Sequence, residues 1–220
     1  MSKTLSESES KSLLSAYGVP FLPEELVTAS SEASSLAQRW GGPLALKLCG
    51  ANIAHKSERG LVRLGVEGPE AVQQACQDLL DAARPEDEAT GVLIAPMATG
   101  LREFIAGISV DPVFGPTVVF GLGGVLAEAI ADVTVRLAPL RLYDAFDMLS
   151  SLRSQSLFGS FRGEGEVDRD ALANLLLALS RASMEIDGVV SIDLNPVMIV
   201  DGRPVALDAL VELDHSVVSQ

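Results

Sequence analysis

The sequence predicts an α/β (α+β) protein built as two lobes. Three observations carry this. Short apolar runs alternate with stretches of helical periodicity; Val, Leu, Ala and Gly are abundant while aromatic residues make up only 5%; and Pro96-Met97-Ala98-Thr99-Gly100 breaks the pattern mid-chain as a candidate hinge. At 220 residues and 48% hydrophobic content the chain can bury a proper core, as one large domain or two small lobes.

The elements follow in order. Ser6-Glu7-Ser8-Glu9 has capping-box form, Leu13, Leu14 and Tyr17 give a short apolar face, and Gly18-Val19-Pro20 stops this first helix. Leu26-Val27-Thr28 fits a short strand, Ser30-Ser31 caps a second helix running to Trp40, and Leu44-Ala45-Leu46-Lys47-Leu48 reads as a buried strand with one charge. Leu61 to Val66 alternates as a strand, and Pro69 opens a helix whose Val72, Ala75, Cys76, Leu79 and Leu80 repeat at helical spacing. Pro85-Glu86-Asp87-Glu88 reads as an acidic surface loop, and Val92-Leu93-Ile94-Ala95 as a buried strand. In the second half, strands are expected at 103–110, 117–120 and 132–137 and helices at 141–152 and 168–183, joined by a flexible link at 158–165. The segments 189–200 and 204–208 read as a terminal hairpin turning at Asp201-Gly202. The hinge divides the expectation into a first lobe, 1–95, and a second, 96–220.

A net charge of −14 makes a nucleic-acid footprint or attraction to an anionic membrane unexpected, so an anionic ligand would have to be held locally by placed cations, backbone amides or a metal. Cys49 and Cys76 have neither metal spacing nor a secreted framework and read as reduced, buried thiols. With no signal-peptide core and no apolar run of membrane length, a soluble, cytoplasmic protein is expected.

Asn52-Ile53-Ala54-His55-Lys56-Ser57-Glu58-Arg59-Gly60 is the most informative stretch. It sets the chain's one interior histidine beside a lysine in a sequence whose four lysines, Lys3, Lys11, Lys47 and Lys56, all fall near its start. A neutral imidazole is nucleophilic near pH 7, and ammonium and guanidinium groups neutralise phosphoryl oxygens, so the pattern suits phosphate chemistry. The residues alone also allow a loop histidine that only hydrogen-bonds to backbone. Asp193 and Asn195 share a strand face by the period of two, and with Asp208 on the next strand they offer oxygen ligands suited to Mg²⁺; a turn cap and a strand-end carboxylate are the alternative. Gly121-Leu122-Gly123-Gly124 lacks Rossmann or P-loop spacing and is open to a reading as a tight turn needing positive φ. Arg102-Glu103 and Arg136 fit a guanidinium clamp or an ion-paired surface.

Taken together and in order, Leu46-Lys47, Ile53 to Glu58 with Gly60, Pro96-Met97 with Gly100 and Arg102-Glu103, Asp111-Pro112 with Phe114-Gly115-Pro116, Phe120 to Gly124 with Glu128, Asp132-Val133, Arg136 to Leu140 and Asp193-Leu194-Asn195-Pro196-Val197 form a specific set. The chain resembles, over nearly its whole length, the ATP-grasp subunit of the NDP-forming acyl-CoA synthetases, the family of ADP-forming acetyl-CoA synthetase and a relative of succinyl-CoA synthetase.

The resemblance implies an ATP-grasp fold, each lobe with a mostly antiparallel sheet and flanking helices, holding ATP or ADP between the lobes. It implies that Lys47 contacts the phosphates, Ala95, Pro96 and Met97 line the base, and Glu103 lies near the phosphates. Asn195 and Asp208 match the Mg²⁺ ligands, Asp193 the acidic residue facing the phosphohistidine, and His55 a second phosphate carrier on a mobile loop. That loop stands where other ATP-grasp proteins have a glycine-rich phosphate loop, so Lys56, Ser57 and Arg59 are further phosphate contacts. The expected activity is acid–thiol ligation, in which phosphate passes from a partner's phosphohistidine to His55 and on to ADP. No stretch matches the CoA-binding and ligase domains, so a separate CoA-binding α-type subunit is expected, in an α₂β₂ assembly by resemblance. A direct ATP-grasp ligase without phosphohistidine and a non-catalytic nucleotide-sensing subunit are the alternatives.

Overall fold

The computed structural model describes residues 2–53, 56, 58–124 and 127–214. They form two compact units, one drawn from residues 6–8 and 22–97, the other from 2–5, 9–21 and 98–214.

The smaller unit is a four-stranded antiparallel sheet in the order β2 (Glu25–Val27), β5 (Ala89–Pro96), β3 (Leu44–Gly50), β4 (Val62–Val66). Helices α2 (Ser30–Trp40) and α3 (Pro69–Asp81) pack on one face. Leu44, Leu46 and Leu48 of β3 and Val92 and Ile94 of β5 point to those helices and close a core with Leu36, Val72, Cys76 and Leu79. The intervening residues, Ala45 and Lys47, therefore take the opposite face. Ser30 opens α2 but does not cap it: Ala29 occupies the cap position without a side-chain bond, while the Ser30 hydroxyl donates to Gln77.

The larger unit is a seven-stranded antiparallel sheet. Its main path runs β1 (Ser2–Thr4), β11 (Leu210–Asp214), β9 (Val189–Val200), β6 (Glu103–Asp111), β7 (Gly115–Leu122), β8 (Val133–Leu137), with β10 (Arg203–Ala206) also on β9. Helices α1 (Glu7–Ser15), α4 (Ala127–Ile130), α5 (Leu142–Ser151) and α6 (Arg169–Glu185) complete the chain. Phe104, Ala106, Ile108, Val118, Phe120, Ile192, Leu194 and Val211 face a core shared with Leu14, Met148, Leu149, Leu172, Leu176 and Leu179. The Asp168 carboxylate accepts from the Ala171 amide and caps α6, satisfying one of the amides a helix start leaves without a partner.

Four readings of the sequence change. The first residues were expected in the lobe 1–95, but β1 pairs with β11 and residues 9–21 pack with the later chain, because the buried Leu14 belongs to that core. The acidic loop at 85–88 is a 3₁₀ turn, and its Asp87 is buried. The link 158–165 is pinned rather than flexible: buried Arg102 donates to Glu164 and to the carbonyls of Leu157, Gly159 and Gly165. The strand read at 204–208 is β10 and ends at Ala206; residues 207–209 cross over, and a further strand that was not read, β11, follows.

Candidate functional site

In the larger unit, one sheet face is covered by helices and the other is where the predicted acidic residues stand. Asp193 lies in register with Gly107 of β6 on one side and Leu210 of β11 on the other. A Cβ on Gly107 would meet the Ile192 carbonyl oxygen at 2.5 Å, so glycine keeps the surface open beside Asp193. A shallow cavity of about 230 Å³ lies here, lined by Ile105, Gly107, Ser109, Val119, Ser191 and Asp193.

Next along β9, Leu194 pairs with Ala106 and Val197 with Phe104, so Asn195 and Pro196 oppose Ile105 alone. This is a bulge, and a proline without an amide hydrogen is tolerated there. The other edge of β9 changes neighbour at the same place, from β11 at Asp193 to β10 at Val197. The crossing residues 207–209 fill the gap, with the Leu207 amide donating to the Pro196 carbonyl at 3.0 Å, which brings Asp208 beside Asn195 and Asp193. Asp193 and Asn195 are both solvent-exposed. The packing around it desolvates Asp193, and together with the neighbouring Asp208 carboxylate this raises its pKa above the ordinary value.

Two like-charged carboxylates and an amide, all oxygen donors, fit a hard divalent cation that completes its shell with phosphate and water. Among the described residues no group of three or more His, Cys, Asp and Glu side chains that could hold a metal ion is present.

Glu103 opens β6 under the glycine segment. The Gly123 amide donates to the Glu103 carbonyl at 2.8 Å, and a Cβ on Gly123 would meet Phe104 backbone at 2.9 Å. Close backbone approach therefore accounts for Gly123, and positive φ for Gly124 alone in this run. Of the two guanidinium candidates, Arg102 serves the 157–165 segment and Arg136 pairs with Asp147, so both take the ion-paired reading.

In the smaller unit, Lys47 and Lys56 meet on one carboxylate. Their ammonium nitrogens lie 2.9 and 2.6 Å from the two oxygens of Glu7, whose side chain is 1% exposed. Alternation places Ala95, the register partner of Ala45, on the face that carries Lys47, and the Met97 amide donates to the Pro43 carbonyl just beyond β5. Arg59 forms a two-pronged pair with Asp87 at 2.7 and 2.8 Å. His55 and Ser57 lie outside the described residues.

Sequence reasoning passed over Glu7 and Asp87. Glu7, Ser10, Lys11 and Leu14 are the buried face of α1, and that helical spacing from Leu14 was the available signal for Glu7. Asp87 had none, lying within a run of acids.

The chain matches the ATP-grasp domain family model over residues 1–213. It is 37% identical over 197 residues to the acetate–CoA ligase [ADP-forming] II subunit beta of Pyrococcus furiosus, covering 88% of this chain and 84% of that protein. To the I subunit beta of the same organism it is 32% identical over 210 residues, covering 94% and 90%. Among solved structures it is similar to the dinucleotide forming acetyl-coenzyme A synthetase 1 of Ca. Korarchaeum cryptofilum in complex with coenzyme A and Ca-AMPCP, at a TM-score of 0.89 and 34% identity, covering 96% of this chain and 94% of that one. Another complex of that synthetase, with coenzyme A and Mg-AMPPCP, has its phosphohistidine segment pointing towards the nucleotide binding site, at a TM-score of 0.83, 33% identity and coverage of 96% and 93%. With the fold, the ordered motifs and these likenesses in agreement, the chain belongs to the ATP-grasp family, among the β subunits of the ADP-forming acyl-CoA synthetases.

Proposed function

We propose that this chain is the nucleotide-binding subunit of an acid–thiol ligase and passes a phosphoryl group between a histidine on a CoA-binding partner and ADP, through His55. The observation that carries the reading is the gathering of Asp193, Asn195 and Asp208 at the β9 bulge, oxygen donors on an exposed sheet surface that fit Mg²⁺. When bound, Mg²⁺ supplies charge neutralisation on the nucleotide phosphates. Asn195 and Asp208 are its ligands, and Asp193 faces the phosphohistidine.

The chain's own residues do the rest. A neutral imidazole nitrogen of His55 attacks the phosphorus of the partner's phosphohistidine, forming one P–N bond as the other breaks and returning the partner's imidazole. A terminal β-phosphate oxygen of ADP then attacks the phosphorus on His55, giving ATP and restoring the imidazole. Lys47 and Lys56 neutralise the phosphoryl oxygens. Glu7 accepts from both ammonium groups and holds them near one another. Ala95, Pro96 and Met97 line the base, Glu103 lies near the phosphates, and Ser57 adds a hydroxyl contact.

The test is incubation of the purified chain, with and without its partner, with Mg²⁺ and γ-labelled ATP. Acid-labile, base-stable label that disappears in His55→Ala, with ADP binding retained, is the expected result. Absence of label with the partner present would overturn the carrier role and favour a direct ligase or a nucleotide-sensing subunit.

A further inference from the structure

Resting on the reading that His55 carries the phosphoryl group, we propose that Asp87 is the positioning residue of the histidine segment, closing it at both ends. At the first end, the Asp87 carbonyl oxygen accepts from the Asn52 amide at 3.3 Å and lies where a Cβ on Gly50 would come within 2.5 Å. Glycine at 50 is what lets the turn carrying Asp87 seat against the end of β3.

At the second end, both carboxylate oxygens of Asp87 take the Arg59 fork, at 2.7 and 2.8 Å, while Oδ2 also accepts from the Arg84 amide at 2.9 Å. The Asp87 side chain is 1% exposed and that of Arg59 21%. The Arg59 Nε is buried without a partner among the described residues, so the guanidinium is oriented by Asp87. Two backbone bonds continue the closure, Leu61 amide to Lys56 carbonyl at 2.8 Å and Leu48 amide to Leu61 carbonyl at 3.0 Å.

One buried residue thus holds Asn52, three positions before His55, and Arg59, four positions after it. Arg59 thereby acts through Asp87 on the ends of the segment.

Hydrogen exchange of the full chain, wild type against Asp87→Asn and Arg59→Lys, tests the clasp. Lysine keeps the charge but lacks the fork. The amides of Asn52 and Leu61 should exchange about tenfold faster or more in both variants, with the amides of α3 unchanged, as expected for a buried pair losing a partner. If Asp87→Asn loosens the whole unit, Arg59→Lys alone decides. Unchanged exchange at Asn52 and Leu61 in Arg59→Lys would overturn the clasp.

With the partner present, kcat should fall while the nucleotide KM stays within about twofold. A rise in KM at constant kcat would instead give Arg59 a direct phosphate contact and overturn its positioning role. A wild type that takes no label on His55 would end the carrier reading, and the exchange comparison would still decide the clasp.

Discussion

Asp87 has a pH signature of its own. The Arg59 fork, then the Arg84 amide, hold its carboxyl down to about 2 from an ordinary 3.8. A depressed pKa means that the folded chain binds fewer protons than the unfolded one between these values. The carboxylate's stabilisation is therefore complete above about pH 4 and is lost as pH falls towards 2. Urea midpoints between pH 2 and 5 should fall in the wild type and flatten over this range in Asp87→Asn; parallel acid limbs would mean that other carboxylates govern it. Cys76 shows burial acting in the other direction. Desolvation, with a smaller contribution from Glu32, pushes its thiol up to about 11. It should resist alkylation in the folded protein at pH 8 and react only on unfolding, and rapid native labelling would contradict its burial.

At the level of elements, what was legible depended on whether the signal was local. Helix α6 was readable because Leu172, Leu175, Leu176 and Leu179 recur on one face, and its cap gives a direct test. Asp168→Ala should lower unfolding stability by about 1 kcal/mol in a denaturant titration, and an unchanged midpoint would show that the Ala171 amide finds another acceptor. Asp193 and Asn195 were legible as neighbours on one face by the period of two alone. The hairpin reading brought Asp208 to them as well but set it on a strand; it stands on the crossing from β10 to β11, opposite a proline bulge in β9, a coincidence that no short window contains. The pairing of β1 with β11 joins residues at opposite ends of the sequence and leaves no local trace. Arg102 could be singled out, but not its partners some sixty positions away in the 157–165 segment. Asp87 was hidden for a different reason: among Glu86 and Glu88, composition says surface, and only its fork with Arg59 says otherwise.

For the whole molecule, a charge of −14 repels an anionic nucleotide at long range, so binding must come from short-range features. Asp193 and Asp208 raise the same tension locally, because two mutually repelling carboxylates weaken the ligand-free protein, a repulsion that a cation on the proposed ligand Asp208 would offset. Thermal unfolding should display both effects. ATP with Mg²⁺ at about a hundred times the dissociation constant stabilises a folded protein by about 2.7 kcal/mol, and for a chain of this size each kcal/mol raises Tm by about 2–4 °C, a shift of about 5–10 °C. Neither Mg²⁺ nor ATP alone should produce it. In Asp208→Asn the ligand-free Tm should hold or rise slightly as the repulsion on Asp193 is relieved, while most of the Mg²⁺-dependent gain disappears. A full gain in that variant would remove Asp208 from the cation's ligands, and no gain in the wild type would remove nucleotide binding from this chain acting alone.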